Sequence, residues 1–190
     1  MKKTVRTIIS LSDARRYALA NPILKSHRFV DDLELLVVAG IARLFDDAGI
    51  SYPLKHGDMS LYLGLDRGIE EIKNRFLRDI INGGISMASP LLFPYTTPNT
   101  IAARATILFG IQGECLTFPV KNSPVDVLKY ISTFLIDSTE RGILGYINTY
   151  HEKREDGTIT LAYIEDNYNL HEIEKTVCTI FMKNEDENLR

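Results

Sequence analysis

Hydrophobic residues recur along the chain in blocks of two periods, and those blocks predict the elements. Val5–Leu11 reads as a short strand, and Asn21-Pro22 stops any helix begun at Asp13. Asp31 or Asp32 caps a helix that runs to about Ala48 and closes at Gly49. Its apolar residues, among them Leu33, Leu36, Val37, Ile41, Leu44 and Phe45, surround most of the axis, which predicts burial between layers. After a loop at Pro53 to Gly57, Met59–Leu65 is an unbroken apolar run of strand length. Gly68 to Asn82 carries Ile69, Ile72, Phe76 and Ile80 on one helical face and Lys73, Arg75, Arg78 and Asp79 on the other.

Ser89 to Asn99 holds Pro90, Pro94 and Pro98, so it is neither helix nor central strand, yet it carries Leu91, Leu92, Phe93 and Tyr95. An apolar, proline-rich loop is normally pinned against a pocket or a partner. Pro98 or Asn99 opens a small-residue helix to Phe109, and Glu114–Phe118 is a short strand. Ser123-Pro124-Val125-Asp126 is a helix start, with Val127, Leu128, Ile131, Phe134 and Leu135 on one face beyond it. Ile143–Tyr150 and Thr158–Ile164 read as strands flanking a charged hairpin-like or loop excursion at residues 151–157. Thr176–Met182 reads as a final strand before a polar tail. Alternating strands and helices predict an α/β layered domain without internal repeats.

Length and composition leave that picture intact. The chain has 190 residues, 45% hydrophobic and 25% charged, which fits one domain, 1–190, of ordinary globular composition. The 22 Lys and Arg against 25 Asp and Glu form no basic block, which argues against a nucleic-acid partner. The longest apolar run, Leu35 to Ala42, is far short of the ~20 residues of a membrane span. The basic start has no apolar segment of the signal-peptide kind, so the expected location is the cytoplasm. Cys115 and Cys178 both lie in apolar, strand-like stretches and are expected to be buried reduced thiols.

Motifs for cofactor or metal chemistry are missing. His27, His56, His151 and His171 form no HExxH pair, and no Walker A, GxGxxG or GxSxG sequence occurs, so no cofactor and no metal is expected. Gly110-x-x-Gly113 is assigned to turn geometry between a helix and a strand. Arg104, on the small-residue helix, needs either exposure or a charged partner. Phe93 and Tyr95 are candidates to line a pocket, with plain core packing as the alternative.

From Phe29 to Tyr150 the order of these elements resembles the N-terminal half of a β-ketoacyl synthase, a thiolase-fold condensing enzyme. The specific stretch is Ser89–Phe118, SPLLFPYTTPNTIAARATILFGIQGECLTF. Its Pro-Leu-Leu-Phe-Pro loop, Asn99, small-residue helix, Phe109-Gly110-x-x-Gly113 and strand with Thr117 are similar to the family's pattern. The resemblance implies an α/β fold, one half of a thiolase-like α-β-α layered domain with a mixed central sheet. The helices Leu33–Ala48 and Asn99–Phe109 should be its most buried.

The departures are as informative. In a condensing ketosynthase the strand ending in Thr leads to a nucleophilic Cys at a helix N-terminus, where thiol pKa is lowered and N–H groups meet the oxyanion. By family spacing that position falls on Asn122, followed by Ser123 and Pro124. Asn is no acyl nucleophile, although as a turn or cap residue it is unremarkable. The family's catalytic histidines belong to a C-terminal half that lies beyond the order of elements matched here.

The resemblance is therefore nearest to chain-length-factor subunits, which keep the fold, lack the Cys and pair with an active synthase. It implies a non-catalytic accessory protein of fatty-acid or polyketide-type biosynthesis. Such a protein would be dimeric, with itself or with a full-length ketosynthase, and would hold an acyl chain or acyl carrier protein near Phe93, Tyr95, Asn122 and Ser123. The alternatives are one piece of a split β-ketoacyl synthase and a structural relic without acyl chemistry.

Overall fold

The computed structural model describes residues 3–56, 58–65, 69–120, 141–148 and 157–165, together with Lys175, Cys178 and Thr179. Among them run five strands and four helices: β1 (Lys3–Ser10), α1 (Leu11–Ala20), α2 (Asp32–Ala48), β2 (Ser60–Leu65), α3 (Glu70–Gly83), α4 (Asn99–Phe109), β3 (Cys115–Pro119), β4 (Arg141–Asn148) and β5 (Thr158–Glu165). The expected helix after Ser123 and residues 151–156 lie outside the described residues.

The strands form one sheet in the order β1-β5-β4-β2-β3. β3, β2 and β4 are parallel, with Leu63 opposite Thr117 and Gly145. β5 runs antiparallel to β4 and to β1, so the sheet is mixed, as the resemblance implies. The β4–β5 register ends with Asn148 opposite Thr158. β1 brings the N-terminal residues into the sheet at one edge, and β3 forms the other edge.

Side chains alternate across a strand, so the two parities report the two faces. Leu61, Leu63, Ile143, Ile147, Ile159, Leu161 and Tyr163 belong to the core shared with the helices. Tyr62, Leu144, Ala162 and Ile164, of the opposite parity, are buried as well. A sheet buried on both faces produces the near-continuous apolar runs seen in β2 and β5.

α2 is the central helix, with thirteen of its seventeen residues buried. The Asp31 carboxylate accepts the Glu34 N–H at 2.8 Å as N-cap, and Gly49 closes the helix at φ 67°. A Cβ on Gly40 would come within 2.9 Å of Ile159 Cγ2, so this glycine sets how closely α2 lies over β5. α1 starts at Ser10, whose hydroxyl accepts the Asp13 N–H, and stops at Asn21. The Asn21 side chain bonds the Tyr52 hydroxyl at 2.7 Å and the Ile23 and Leu24 amides, which fastens the turn at Pro22 to the body.

α2 and α4 are the most buried of the described helices, as expected, with α4 covered on one face: Ile101, Ala102, Ala105 and Phe109 are buried, whereas Ile107 is 79% exposed. Its small residues let that inner stripe pack against α2 and β3. One expectation needs correction. The strand expected at Thr176–Met182 is not adopted by its described residues. Cys178 and Thr179 are helical with Lys175, and Thr179 Oγ1 donates to the Lys175 carbonyl at 2.8 Å. β-branched residues favour strands only where a sheet surface receives them, and a threonine bonding four residues back is a helical habit.

Candidate functional site

The proline-rich loop is the natural centre of the site. It folds as a 3-10 turn over Phe93–Thr96, and its two candidate residues diverge. Phe93 is 60% exposed and stacks loosely on Phe76 of α3, ring centres 5.8 Å apart. Tyr95 is 7% exposed and buried near the charges of Glu34 and Arg104. The structure therefore does not bring these two side chains to one surface. Asn122 and Ser123 lie outside the described residues, as do His151 and His171.

Beneath Tyr95 sits a charged group. Glu34, in the first turn of α2, has a wholly buried side chain. Its Oε1 accepts from Arg104 Nε at 3.1 Å and lies 3.2 Å from His27 Nε2, and its Oε2 accepts the Val30 N–H at 2.8 Å. A buried carboxylate is tolerable only when paired and hydrogen-bonded in this way. The bond to Glu34 raises the Arg104 pKa above its ordinary value. Burial, then the Glu34 charge, raises that of Tyr95.

Arg104 thus meets both conditions set for it, a partner and partial exposure, at 41% of its side chain. Glu34 was not singled out from the sequence. The one available signal was an acidic residue three positions after an N-cap Asp, which is the spacing of a capping box.

The junction from α4 to β3 is fixed by two glycines. Gly110 closes α4 at φ 70°, and a Cβ on Gly113 would lie 2.6 Å from the Met59 carbonyl oxygen. Gly113 N–H bonds that same carbonyl at 3.0 Å, which lays β3 alongside β2. Along β3, Cys115 to Phe118 are all half-buried. Burial pushes the Cys115 thiol up to about 11, far from the range of an activated nucleophile. The Thr117 hydroxyl is buried without a hydrogen-bond partner.

Exposed apolar side chains concentrate on one flank: Leu77, Ile81, Ile85, Met87, Leu91 and Phe93, with Ile107 on α4. No group of three or more His, Cys, Asp or Glu residues suited to a metal occurs among the described residues. No described helix is long and apolar enough to cross a membrane.

The chain superposes on the ishigamide ketosynthase/chain length factor with a TM-score of 0.57, at 13% identity, over 81% of its own residues. The fold is ketosynthase-like. A ketosynthase (ApeO) in complex with its chain length factor (ApeC) from Xenorhabdus doucetiae matches with a TM-score of 0.55 at 10% identity, covering 87% of this chain and 79% of that one. A type II polyketide synthase ketosynthase and acyl-carrier-protein complex (AntDE:AntF) matches with a TM-score of 0.54 at 13% identity, covering 92% and 65%. This chain spans 48% of the length of the ishigamide protein. No protein-family model matches it, and no curated protein does.

Proposed function

We propose that this chain is a non-catalytic, ketosynthase-like accessory subunit that pairs with an active synthase in fatty-acid or polyketide-type assembly. The observation that carries the reading is the β3 side of the described sheet. β3 is an edge strand with half-buried side chains and an unsatisfied threonine hydroxyl, and exposed apolar residues crowd the neighbouring α3–α4 flank. A buried hydroxyl without a partner costs about 1–3 kcal/mol, and large apolar patches mark interfaces. The ketosynthase complexes it resembles in fold support a partner of that kind.

Nothing in the described site performs condensation. Cys115, on β3, has a raised pKa that keeps it protonated at neutral pH. Asn122 takes the nucleophile position by sequence spacing. The chain acts as a single unit, 1–190, in the cytoplasm, and shapes or supports the partner's acyl site through Phe93 and the segment around Asn122 and Ser123.

The test is purification of the tagged chain from its own cells, with mass spectrometry of what accompanies it. Stoichiometric recovery of a full-length ketosynthase, with or without an acyl carrier protein, is expected. A homodimer or a monomer free of both overturns the accessory reading. Condensing activity that appears only on mixing with a second chain, and that survives Asn122→Ala, moves the assignment to a split synthase.

A further inference from the structure

Residues 77–92 form one excursion: the C-terminal half of α3, the 3-10 turn Ile85–Met87 and the start of the Pro-rich loop. Its near end is anchored, because Ile72 in the first turns of α3 belongs to the core and Ile69 packs against it. Its far end is anchored as well. Tyr95 is buried, and the Pro94 carbonyl accepts from Thr97 Oγ1 and from Thr100 Oγ1 of α4. Between these anchors Leu77 and Arg78 are exposed, and so is every residue from Ile81 to Met87. Among the described residues, the excursion's backbone hydrogen bonds run within it. Gly84 N–H donates to the Ile80 carbonyl at 2.8 Å, Met87 N–H to that of Gly84 at 3.0 Å and Leu92 N–H to that of Ser89 at 3.1 Å. The Met87 side chain folds back over Gly83, where a Cβ would collide with it. The excursion is thus knit to itself, and its two ends meet where Phe76 lies on Phe93, ring centres 5.8 Å apart.

We propose that Phe76 and Phe93 form an aromatic clasp at the base of this excursion, and that residues 77–92 open as a unit when the clasp parts. Phe93 is the fixed jaw, because Pro94 and Tyr95 beside it are held. Phe76 is the moving one. A segment with few buried apolar contacts and exposed backbone hydrogen bonds opens at a lower free energy than the sheet. Closed, the clasp keeps Leu77, Ile81, Ile85 and Met87 of the excursion on one flank with Phe93 of the anchored turn. Open, it parts them. The clasp exists in the isolated chain whether or not the partner proposed above is the right one.

Hydrogen exchange on the whole chain, read by mass spectrometry on peptides from 77–92, tests this without any partner. These amides are expected to exchange together, and faster than those of β2 and β4. Phe93→Ala removes a largely exposed ring and is expected to speed their exchange about fivefold, the effect of losing one aromatic pair. Phe76→Ala is expected to do the same. Alanine is the better helix former, so faster exchange in that variant reports a lost contact and not a weaker helix. The double variant should exchange no faster than the faster single one, because both changes remove the same contact. Phe93→Tyr keeps the ring and should leave the exchange as it was.

Protection of 77–92 equal to that of the sheet overturns the proposal. So do unchanged exchange in Phe93→Ala, additive effects in the double variant, and Phe93→Tyr exchanging as fast as Phe93→Ala. Equal acceleration in the sheet also overturns it, since the two rings would then support the whole fold and no particular segment. If Phe76→Ala does not fold, the contrast between Phe93→Ala and Phe93→Tyr decides alone.

Discussion

Cys115 shows how the same residue type changes meaning with its surroundings. On β3 its thiol is half-buried, and desolvation of the thiolate raises its pKa to about 11. Alkylation of the folded chain at Cys115 by iodoacetamide is expected to be slow at pH 8 and to accelerate as pH climbs towards 11, read by peptide mass spectrometry. Rapid labelling at pH 8 contradicts the burial. The sign for stability follows from the same shift. Native Cys115 holds its proton more tightly than the unfolded chain does, so its contribution is intact below about pH 8.5 and is lost as pH rises through 11. Tyr163, pushed up to about 12 by burial and by Glu165, acts in the same direction at higher pH. Such shifts are hard to read in a sequence, because desolvation depends on which strands flank the residue. Arg104 was legible as a charge needing a partner. Glu34 was hidden by the apolar run around it, since its charged partner Arg104 lies 70 residues away and its other partners, His27 and Val30, act only once the chain before α2 has turned back.

Elements with strong local signals were placed nearly residue for residue. Asp31 and Gly49 bound α2 because an N-cap carboxylate and a left-handed glycine act within one turn. The β-strands at 60–65 and 158–165 followed from apolar runs of strand length. Cys178 and Thr179, expected in a strand, are helical for the same reason that those succeeded: a β-branched run states a preference that needs a sheet edge to satisfy it. The extent of α4 was legible but its exposure was not, since Ala-rich helices bury or expose a face according to their neighbours. The joint between α4 and β3 gives a direct test. In Gly113→Ala the new methyl meets backbone atoms of Met59, which side-chain repacking cannot relieve. The variant should lose about 1–3 kcal/mol of stability, read by urea denaturation. A loss within 0.5 kcal/mol would mean that β3 lies differently against β2.

At the level of assembly, the sheet has two unlike ends. The β1 end is finished by helices, since α1 and α2 pack beside it. The β3 end carries the half-buried strand and the apolar flank. Leu91 is 80% exposed and Ile85 84%, so replacing both with Asp removes no native packing and should leave the circular dichroism and thermal midpoint of the isolated chain unchanged. Recovery of a full-length ketosynthase by the tagged double variant is expected to fall at least tenfold. Undiminished recovery would free this flank from the interface and leave the β3 edge as the remaining contact.

The pairing of β1 with β5 has a consequence for synthesis. Thr4 lies opposite Ile164, and Ser10 opposite Thr158. β1 therefore waits for β5, about 150 residues later in synthesis, before its backbone is paired. Throughout translation Val5 to Ile9 is an open edge of good β-formers, which is a hazard for association between nascent chains. Its alternation with Thr4, Arg6 and Thr7 puts a charge and two hydroxyls into that edge, and these act as gatekeepers during the wait.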